Sequence, residues 1–338
     1  MFTKIYEWIK NYIKYNYKFL IFLTVLIFLF YYEFPYIIYK SGGTINLEDR
    51  IVIDTKYKED GDISMSYVTA VKGTAPFILL SYILPDWDLY PLDEITNEDD
   101  YDEVLEAGKV YLNEGIDNAI ISAFNESNYG IKILKEYNVV NYLSEEANTD
   151  IKIGDEILSI NGVKATNLDE VKEYVNTLKE NDKVSVKVKN EGKKYNREAI
   201  VYKDEDNTLK IGVAFNTRYE YETEIPVKVK MKNHESGISG GLMMSLAIYN
   251  ALTKEDITKG LNIVGTGSIN SDGTVGEIGG VKYKVLAAEK NRADIFICPE
   301  ENYKEAVKIK EKRDLNVEIV KVKTLKDAIK YLEDYEEN

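Results

Sequence analysis

An apolar run dominates the N-terminal part of the chain. It reads FLIFLTVLIFLFYYEFPYIIY from Phe19 to Tyr39, and Glu33 is its only charge. A helix of this length crosses a hydrocarbon core of roughly 30 Å, at about 1.5 Å per residue. A cleaved signal peptide is the alternative, but no small-residue cleavage site follows the run. We therefore predict an uncleaved transmembrane helix over 19–39.

The lysines around this run indicate its orientation. Residues 1–18 are more basic than the segment that follows the run, where Lys40 and Arg50 are the nearest basic residues. Because positive charge favours the cytoplasmic side, we expect a single-pass protein of the cell membrane with residues 1–18 in the cytoplasm and the large C-terminal part outside. The basic residues before the run are Lys4, Lys10, Lys14 and Lys18.

Alternating apolar and polar residues follow from Gly42 to Val71, on either side of a KEDGD turn. This pattern predicts a β-hairpin, with alternate side chains on repeating faces. The acidic stretch PLDEITNEDDYDEVLEAG predicts a solvated loop and a helix start, and EGIDNAIISAFNE predicts a short amphipathic helix. The hairpin's face residues are Ile51, Ile53, Met65, Tyr67 and Thr69.

A compact α+β module is predicted in the middle of the chain. IKIGDEILSI predicts a strand, Asn161-Gly162 a tight turn, and the residues after Thr166-Asn167 a helix, which two further strands follow. The apolar residues of that helix recur at helical spacing, so they predict one buried face. They are Leu168, Val171, Val175 and Leu178.

Charge and composition exclude several functions. The net charge is −15, with 58 acidic and 43 basic residues among 338, which argues against nucleic acid as a partner. One cysteine and one histidine exclude an internal disulfide and a Cys- or His-rich metal site within one chain. Cys298, in the apolar run DIFICPE, is predicted to be a buried, inert thiol. No stretch fits GxxxxGK[ST], so we expect no nucleotide, and nothing indicates a metal or a cofactor.

The stretch HESGISGGLMMSLAIYN, 234–250, places a serine directly before a helix-spaced apolar run. The run predicts a helix that begins close to Ser239. Free N–H groups at a helix start stabilise an oxyanion, and Gly240 and Gly241 leave room for a substrate backbone. An inert Gly-Ser-Gly turn that caps the helix is the alternative. Ser236 is a secondary candidate for contact with substrate.

A nucleophilic serine needs a proton acceptor. His234, five residues upstream, is the only histidine, and a turn or surface position suits it better. Lys284 is the other candidate, because burial lowers the pKa of a lysine. It lies near the start of a helix predicted after two short strands and a Gly-Gly step. The apolar face of that helix is Val285, Leu286 and Ala288, which puts Lys284 at the edge between core and solvent.

These segments together resemble the Lon-type serine peptidase domain, from about Glu222 to Leu332. The resemblance rests on GISGGLMMSLAIYNALT, VGTGSINSDGTVGEIGGVKYKVLAA and ADIFICPEEN, in that order. It implies that Ser239 is the nucleophile, Lys284 the base, and Thr266 the residue that hydrogen-bonds the lysine. The family usually reads Gly-Pro-Ser-Ala-Gly, whereas this chain reads Gly-Ile-Ser-Gly-Gly over 237–241. The implied proteolytic domain covers 208–335.

The middle module resembles a PDZ domain through GDEILSINGVKATNLDEVKEYV, Gly154 to Val175. This resemblance implies a PDZ-like domain over 125–205 that binds an extended peptide at a sheet edge. The residues that would receive the peptide end are Tyr129, Gly130 and Ile131.

The layout is similar to that of membrane-anchored, ATPase-free Lon-like proteases that carry a PDZ domain. The resemblance implies an α+β fold in which the PDZ module is inserted in the protease, so that 42–123 forms the protease's first part. It also implies a homo-oligomer such as a ring or trimer. The expected function is an ATP-independent serine endopeptidase that cleaves exported or membrane-proximal peptides and proteins. The alternative is a catalytically inert, membrane-anchored peptide-binding scaffold.

Overall fold

The computed structural model describes residues 2–54, 57, 60–92 and 101–335. The chain divides into two units, which we call the anchor unit (Met1–Ser41 and Val68–Asp99) and the main unit (Gly42–Tyr67 and Asp100–Asn338). The described helices are α1 Phe2–Tyr31, α2 Ala75–Ile83, α3 Tyr101–Glu126, α4 Leu168–Val175, α5 Gly241–Leu252, α6 Val281–Lys290, α7 Glu300–Arg313 and α8 Leu325–Glu333. The described strands are β1 Phe34–Asn46, β2 Ile51–Ile53, β3 Asp62–Gly73, β4 Trp87–Pro91, β5 Ile131–Leu143, β6 Glu156–Ile160, β7 Val163–Lys164, β8 Lys183–Asn190, β9 Lys193–Ile200, β10 Tyr202–Lys203, β11 Leu209–Lys210, β12 Val213–Thr223, β13 Val227–Val229, β14 Asn262–Gly265, β15 Ser268–Ile269, β16 Val275–Gly276, β17 Ile295–Pro299 and β18 Glu318–Val322.

The anchor unit begins with α1, which is long and apolar enough to cross a membrane and has no buried residue. It ends at Tyr31, so the prediction of a span over 19–39 is wrong from residue 34 onwards, where β1 begins. The backbone there pairs antiparallel with β4, with Tyr36 opposite Pro91 and Lys40 opposite Trp87. Pro35 also has no N–H with which to continue a helix.

The core of the main unit is a sheet with apolar residues on both faces. Parallel pairing joins β3, β14, β17 and β18 in the order β18-β17-β14-β3. Because side chains alternate across a strand, Ile263 and Ile297 pack in a cluster with α3, α5 and α8, whereas Val264 and Phe296 pack in another with α6 and α7. Strands covered on both faces read as continuous apolar runs, which explains NIVG and IFICP.

The α+β module is formed by the part of the chain from β5 to β12 and has its own hydrophobic core. Its sheet runs β12-β5-β6-β8-β9, and Val171 and Val175 of α4 pack into it. The predicted turn is present, with φ of 50° at Asn161 and 82° at Gly162. The predicted helix begins after the N-cap Asn167, whose side chain accepts from the Glu170 N–H. Leu168, predicted on the buried face, is exposed because it lies in the first turn, outside this core.

The hairpin predicted over 42–71 is present in part, because β3 pairs with β1, whose last residues are 42–46. β2 pairs with β13, with Ile53 opposite Val227, and β3 pairs in parallel with β14, with Met65 opposite Gly265. β2 and one side of β3 therefore take partners far along the chain, which local alternation does not reveal. The short helix predicted at 114–126 is the second half of the much longer α3. The acidic stretch before it includes 93–100, which lie outside the described residues.

The predicted first part of the protease, 42–123, is divided between the units. Residues 42–67 and 100–123 belong to the main unit, and 68–99 to the anchor unit. Within the main unit, Leu47, Ile63 and Phe124 share a core with the buried face of α5. The mixed helix and strand architecture confirms the predicted fold class.

Candidate active site

Ser239 lies in the turn that leads into α5, two residues before the helix begins. The predicted helix start is therefore confirmed to within two residues. Among the described residues, no acceptor takes the N–H of Ser239 or of Gly240, whereas the Gly241 N–H donates to the Ile238 carbonyl at 3.1 Å. Of the two predicted glycine donors, only Gly240 thus presents a free N–H.

The two glycines after Ser239 allow close packing of the protein against itself. A Cβ at Gly240 would lie 2.5 Å from the Met65 sulfur, and a Cβ at Gly241 would lie 2.8 Å from Ile269 Cγ2. Real Cβ atoms do not approach so closely, so larger residues would push α5 away from β3 and β15. The sequence interpretation, that these glycines leave room for a substrate, missed this packing role.

Thr266 and Gly267 hold the backbone of Ser239. The Thr266 hydroxyl donates to the Ser239 carbonyl at 2.9 Å, and the Gly267 N–H donates to the same oxygen at 2.8 Å. Thr266 is fully buried directly after β14, and its own N–H donates to Ile297. The predicted bond from Thr266 to Lys284 is not found among the described residues. Thr266 instead fixes the backbone of the serine.

Two glycines of α3 contact the other side of the serine loop. The Gly237 N–H, at a φ of 92°, donates to the Gly108 carbonyl at 2.8 Å. A Cβ at Gly108 would lie 2.9 Å from Ser236 Cβ, and a Cβ at Gly115 would lie 3.3 Å from Ile238 Cγ1. The spacing of seven residues puts both glycines on one helix face. Sequence reasoning missed this contact, although two glycines at this spacing in a helix were the available signal.

Lys284 is buried, with 3% of its surface exposed. Its position at the edge between core and solvent, expected from spacing, is therefore corrected. Burial lowers the pKa of Lys284 to about 8, because the charged ammonium is disfavoured away from water. Among the described residues its ammonium has no hydrogen-bond partner that would stabilise the charged form. A substantial fraction of this lysine is therefore neutral at mildly alkaline pH.

The elements that carry Ser239 and Lys284 meet at β14. Ser239 is bonded to the two residues that follow this strand, and Val281 and Val285 of α6 pack in one cluster with Val264 of the strand. The positions of both candidate side chains thus depend on a single buried strand.

The remaining predicted residues lie elsewhere. His234 and Ser236 are exposed in the loop before Ser239. Cys298 is fully buried, as predicted, and burial raises the pKa of its thiol to about 12. A thiol of this pKa is neither nucleophilic nor redox-active at neutral pH.

Strands β5 and β12 form an antiparallel pair, which we call the β5–β12 ribbon. The three residues predicted to receive a peptide end lie at and just before the start of β5. The Gly130 N–H donates to the Glu224 carboxylate at 2.8 Å, Ile131 pairs with Thr223, and Tyr129 packs against the main core. These contacts leave the Gly130 N–H unavailable to a peptide carboxylate. The structure does not bring these residues to the module's own core.

Comparison with known proteins identifies the family. The sequence model for the Lon protease (S16) C-terminal proteolytic domain matches residues 152–333, more than half of the chain. The chain belongs to this family. It therefore carries a Lon-type proteolytic domain, the domain of a serine peptidase.

Curated Lon proteases match about a hundred residues of this chain. The Lon protease of Trichlorobacter lovleyi is 35% identical over 96 residues, 28% of this chain and 12% of that protein. The Lon protease of Halothermothrix orenii is 34% identical over 112 residues, 32% of this chain and 14% of that protein. Lon protease 2 of Borreliella burgdorferi is 32% identical over 98 residues, 29% of this chain and 12% of that protein. The matched region thus spans about an eighth of the length of these relatives.

PDZ domains are among the similar solved structures. The PDZ domain of the SdrC-like protein from Listeria monocytogenes is 21% identical, with a TM-score of 0.22, and the match covers 25% of this chain and 92% of that domain. The corresponding domain from Listeria innocua is 23% identical, with a TM-score of 0.22, over 24% of this chain and 93% of that domain.

Proposed function

We propose that this protein is a membrane-tethered serine endopeptidase in which Ser239 is the nucleophile and Lys284 is the general base. The observation that carries the proposal is the burial of Lys284, whose lowered pKa of about 8 supplies a neutral amine. This lysine lies on a helix that packs on β14, the strand after which Thr266 and Gly267 hold Ser239. A general base is most effective when its pKa lies near the working pH.

The reaction proceeds in two halves. The neutral amine of Lys284 accepts the proton of the Ser239 hydroxyl as Oγ attacks the substrate carbonyl carbon. The Gly240 N–H, which has no acceptor among the described residues, donates to the resulting oxyanion. The Lys284 ammonium then gives its proton to the leaving amine, and the peptide C–N bond breaks. Lys284 then deprotonates a water molecule, which attacks the acyl-enzyme ester. The Lys284 ammonium returns this proton to Ser239 Oγ as the ester C–O bond breaks and the carboxylic acid product leaves.

Thr266 acts as a positioning residue in this proposal. Its hydroxyl bonds to the backbone of Ser239, so it sets where the nucleophile lies and does not take part in proton transfer. The paired donors of Thr266 and Gly267 to one carbonyl make the turn before α5 rigid. This support replaces the stiffness that a proline at position 238 would give.

α1 supplies the membrane tether. Its 30 residues extend about 45 Å at about 1.5 Å per residue, and none of its described side chains is buried in protein. The four lysines before residue 19 favour a cytoplasmic N-terminus, with the main unit outside the cell membrane. The substrates are then exported or membrane-proximal polypeptides.

Hydrolysis without ATP follows from the lack of a GxxxxGK[ST] motif within these 338 residues. We therefore expect cleavage of unstructured segments. Such segments reach the serine without any need to unravel a folded domain.

The α+β module selects substrates by pairing with an extended peptide. Among the described strands, β12 is an end strand of the module's sheet, and only its β5 side is paired. An edge strand offers N–H and C=O groups to a peptide, and in β12 we expect these before Tyr219, whose N–H donates to Asp117 of α3. Val213 and Phe215 pack against the module's core at the start of this edge. We place peptide binding there, and not at Tyr129, Gly130 and Ile131.

The test of the catalytic assignment uses the full chain in detergent. Ser239→Ala and Lys284→Ala should each abolish cleavage of an unfolded casein and labelling by a fluorophosphonate probe, with the circular dichroism spectrum unchanged. Ser185→Ala, at an exposed serine of β8 outside this loop, is the control and should keep both activities. Full activity in either Ser239→Ala or Lys284→Ala would refute the dyad and favour the inert scaffold.

A further inference from the structure

α2 exposes large apolar side chains in the anchor unit. Leu79 is 63% exposed, Tyr82 78% and Ile83 67%, and no residue of this helix is buried. A helix in contact with water normally has one polar face, and exposed apolar patches of this kind mark a binding surface.

The chain around α2 contains no charge. From Gly73 to Pro85 it reads GTAPFILLSYILP, between Lys72 and Asp86. A surface that binds another protein in water usually has a polar rim that keeps it soluble. Thirteen residues without a charge are instead suited to the boundary between lipid headgroups and acyl chains.

The start of α2 lies at the end of α1. Lys72 pairs with Glu33 at 2.7 Å, two residues beyond the last residue of α1, and the two helices are in contact. If α1 spans the bilayer, α2 therefore lies at bilayer depth beside its exit. Its nine residues extend about 14 Å, which is too short to cross a hydrocarbon core of roughly 30 Å.

Aromatic residues lie within α2, at Phe77, and shortly after it, at Trp87. The Phe77 and Trp87 rings lie 6.1 Å apart, and the Lys40 ammonium lies 4.6 Å from the Trp87 ring. Tryptophan and tyrosine concentrate at headgroup level, where a ring meets both water and lipid.

We propose that α2 is an interfacial helix that inserts Leu79, Tyr82 and Ile83 into the lipid leaflet from which α1 emerges. This inference rests on the membrane tether of the proposed function. α2 adds a second attachment to the same bilayer, so the anchor unit lies against the membrane surface and does not swing freely on α1.

The experiment places single cysteines in the full chain, reconstituted in vesicles of phosphatidylcholine and phosphatidylglycerol. In a Cys298→Ala background, cysteines replace Leu79, Ile83, Leu26 of α1, and Tyr195 as an exposed control on β9. Each is labelled with the same fluorophore. Quenching is measured with iodide in the water and with nitroxides on the lipid acyl chains.

The labels at 79 and 83 should be quenched severalfold more by lipid nitroxides than the label at 195, and severalfold less by iodide. Strong iodide quenching at 79 and 83, with lipid quenching at 26, would overturn the interfacial helix and leave the tether intact. Iodide quenching at all four positions would overturn both. Protection of 79 and 83 from both quenchers would indicate a protein partner or a second copy and would also overturn the lipid assignment.

Discussion

Arg218 on β12 donates through Nε to the carboxylate of Asp117 on α3, and both side chains are largely buried. The same carboxylate accepts from the Tyr219 N–H at 3.3 Å. α3 also contacts the Ser239 loop through Gly108 and Gly115. One helix therefore connects the β5–β12 ribbon of the module to the loop that carries the nucleophile.

Asp117→Ala should destabilise the protein by about 3–5 kcal/mol, because it leaves the Arg218 charge buried without a partner. The double variant Asp117→Ala, Arg218→Met should recover much of this loss, since it removes the orphaned charge. Urea unfolding checks both. Glu198→Ala, which breaks the exposed pair with Lys183, is the control and should cost less than about 1 kcal/mol. A loss no larger for Asp117→Ala than for Glu198→Ala would contradict the argument.

The pH dependence of hydrolysis should follow Lys284. Because the neutral amine is the active form, kcat/KM, which reports the free enzyme, should rise with pH and level off above a midpoint of about 8. The measurement is kcat/KM for a fluorogenic peptide between pH 6 and pH 10, roughly two units on either side of that midpoint. A midpoint near the ordinary lysine pKa of 10.5 would mean that burial does not lower the pKa of the Lys284 amine.

Thr266→Val should lower kcat by about tenfold without moving this midpoint, which corresponds to about 1.4 kcal/mol of lost positioning. The threonine bonds to the Ser239 carbonyl and not to the lysine, and the Gly267 N–H still holds that carbonyl in the variant. Thr266→Ser keeps the hydroxyl and should restore most of the activity. A shift of the midpoint in Thr266→Val would show that the threonine acts on Lys284 after all.

Lys284→Met should abolish hydrolysis and stabilise the fold. The pKa falls from its usual 10.5 to about 8 on folding, so the unfolded chain binds the proton more tightly. The contribution of Lys284 to the free energy of unfolding is therefore lowest below pH 8, and it rises as the pH increases from about 8 to 10.5. At neutral pH, this difference between the unfolded and folded pKa lowers the free energy of unfolding by about 3 kcal/mol. Urea unfolding should show Lys284→Met more stable at pH 7, with the gap shrinking at high pH, and a less stable variant at pH 7 would be the contrary result.

Local signals predicted the features of this fold that depend on neighbours in sequence. The turn at Asn161-Gly162, the cap at Asn167 and the start of α5 all follow from a few adjacent residues. Partners distant in sequence were missed: β2 pairs with β13 and not across a hairpin. The depth of Lys284 was also missed, because the spacing within α6 shows one face of that helix and not what covers the others.

Gly108→Ala should reduce kcat by tenfold or more, on the order of at least 1.4 kcal/mol, while leaving the fold intact. The new methyl would lie 2.9 Å from Ser236 Cβ and 3.2 Å from its Oγ, and so would push the loop that positions Ser239. Alanine also favours the helix over glycine by up to about 1 kcal/mol, which offsets part of the strain.

Two further variants test whether the loss depends on this contact. The Cβ of Gly115→Ala would lie 3.3 Å from Ile238 Cγ1, which is a weaker clash, so kcat should fall less. Gly279→Ala, whose Cβ would meet nothing within 4 Å, is the control beside α6. Because Gly108→Ala should lower kcat while the fold stays intact, kcat and the free energy of urea unfolding are measured on the same sample. Equal kcat in all three variants would show that α3 does not position the serine.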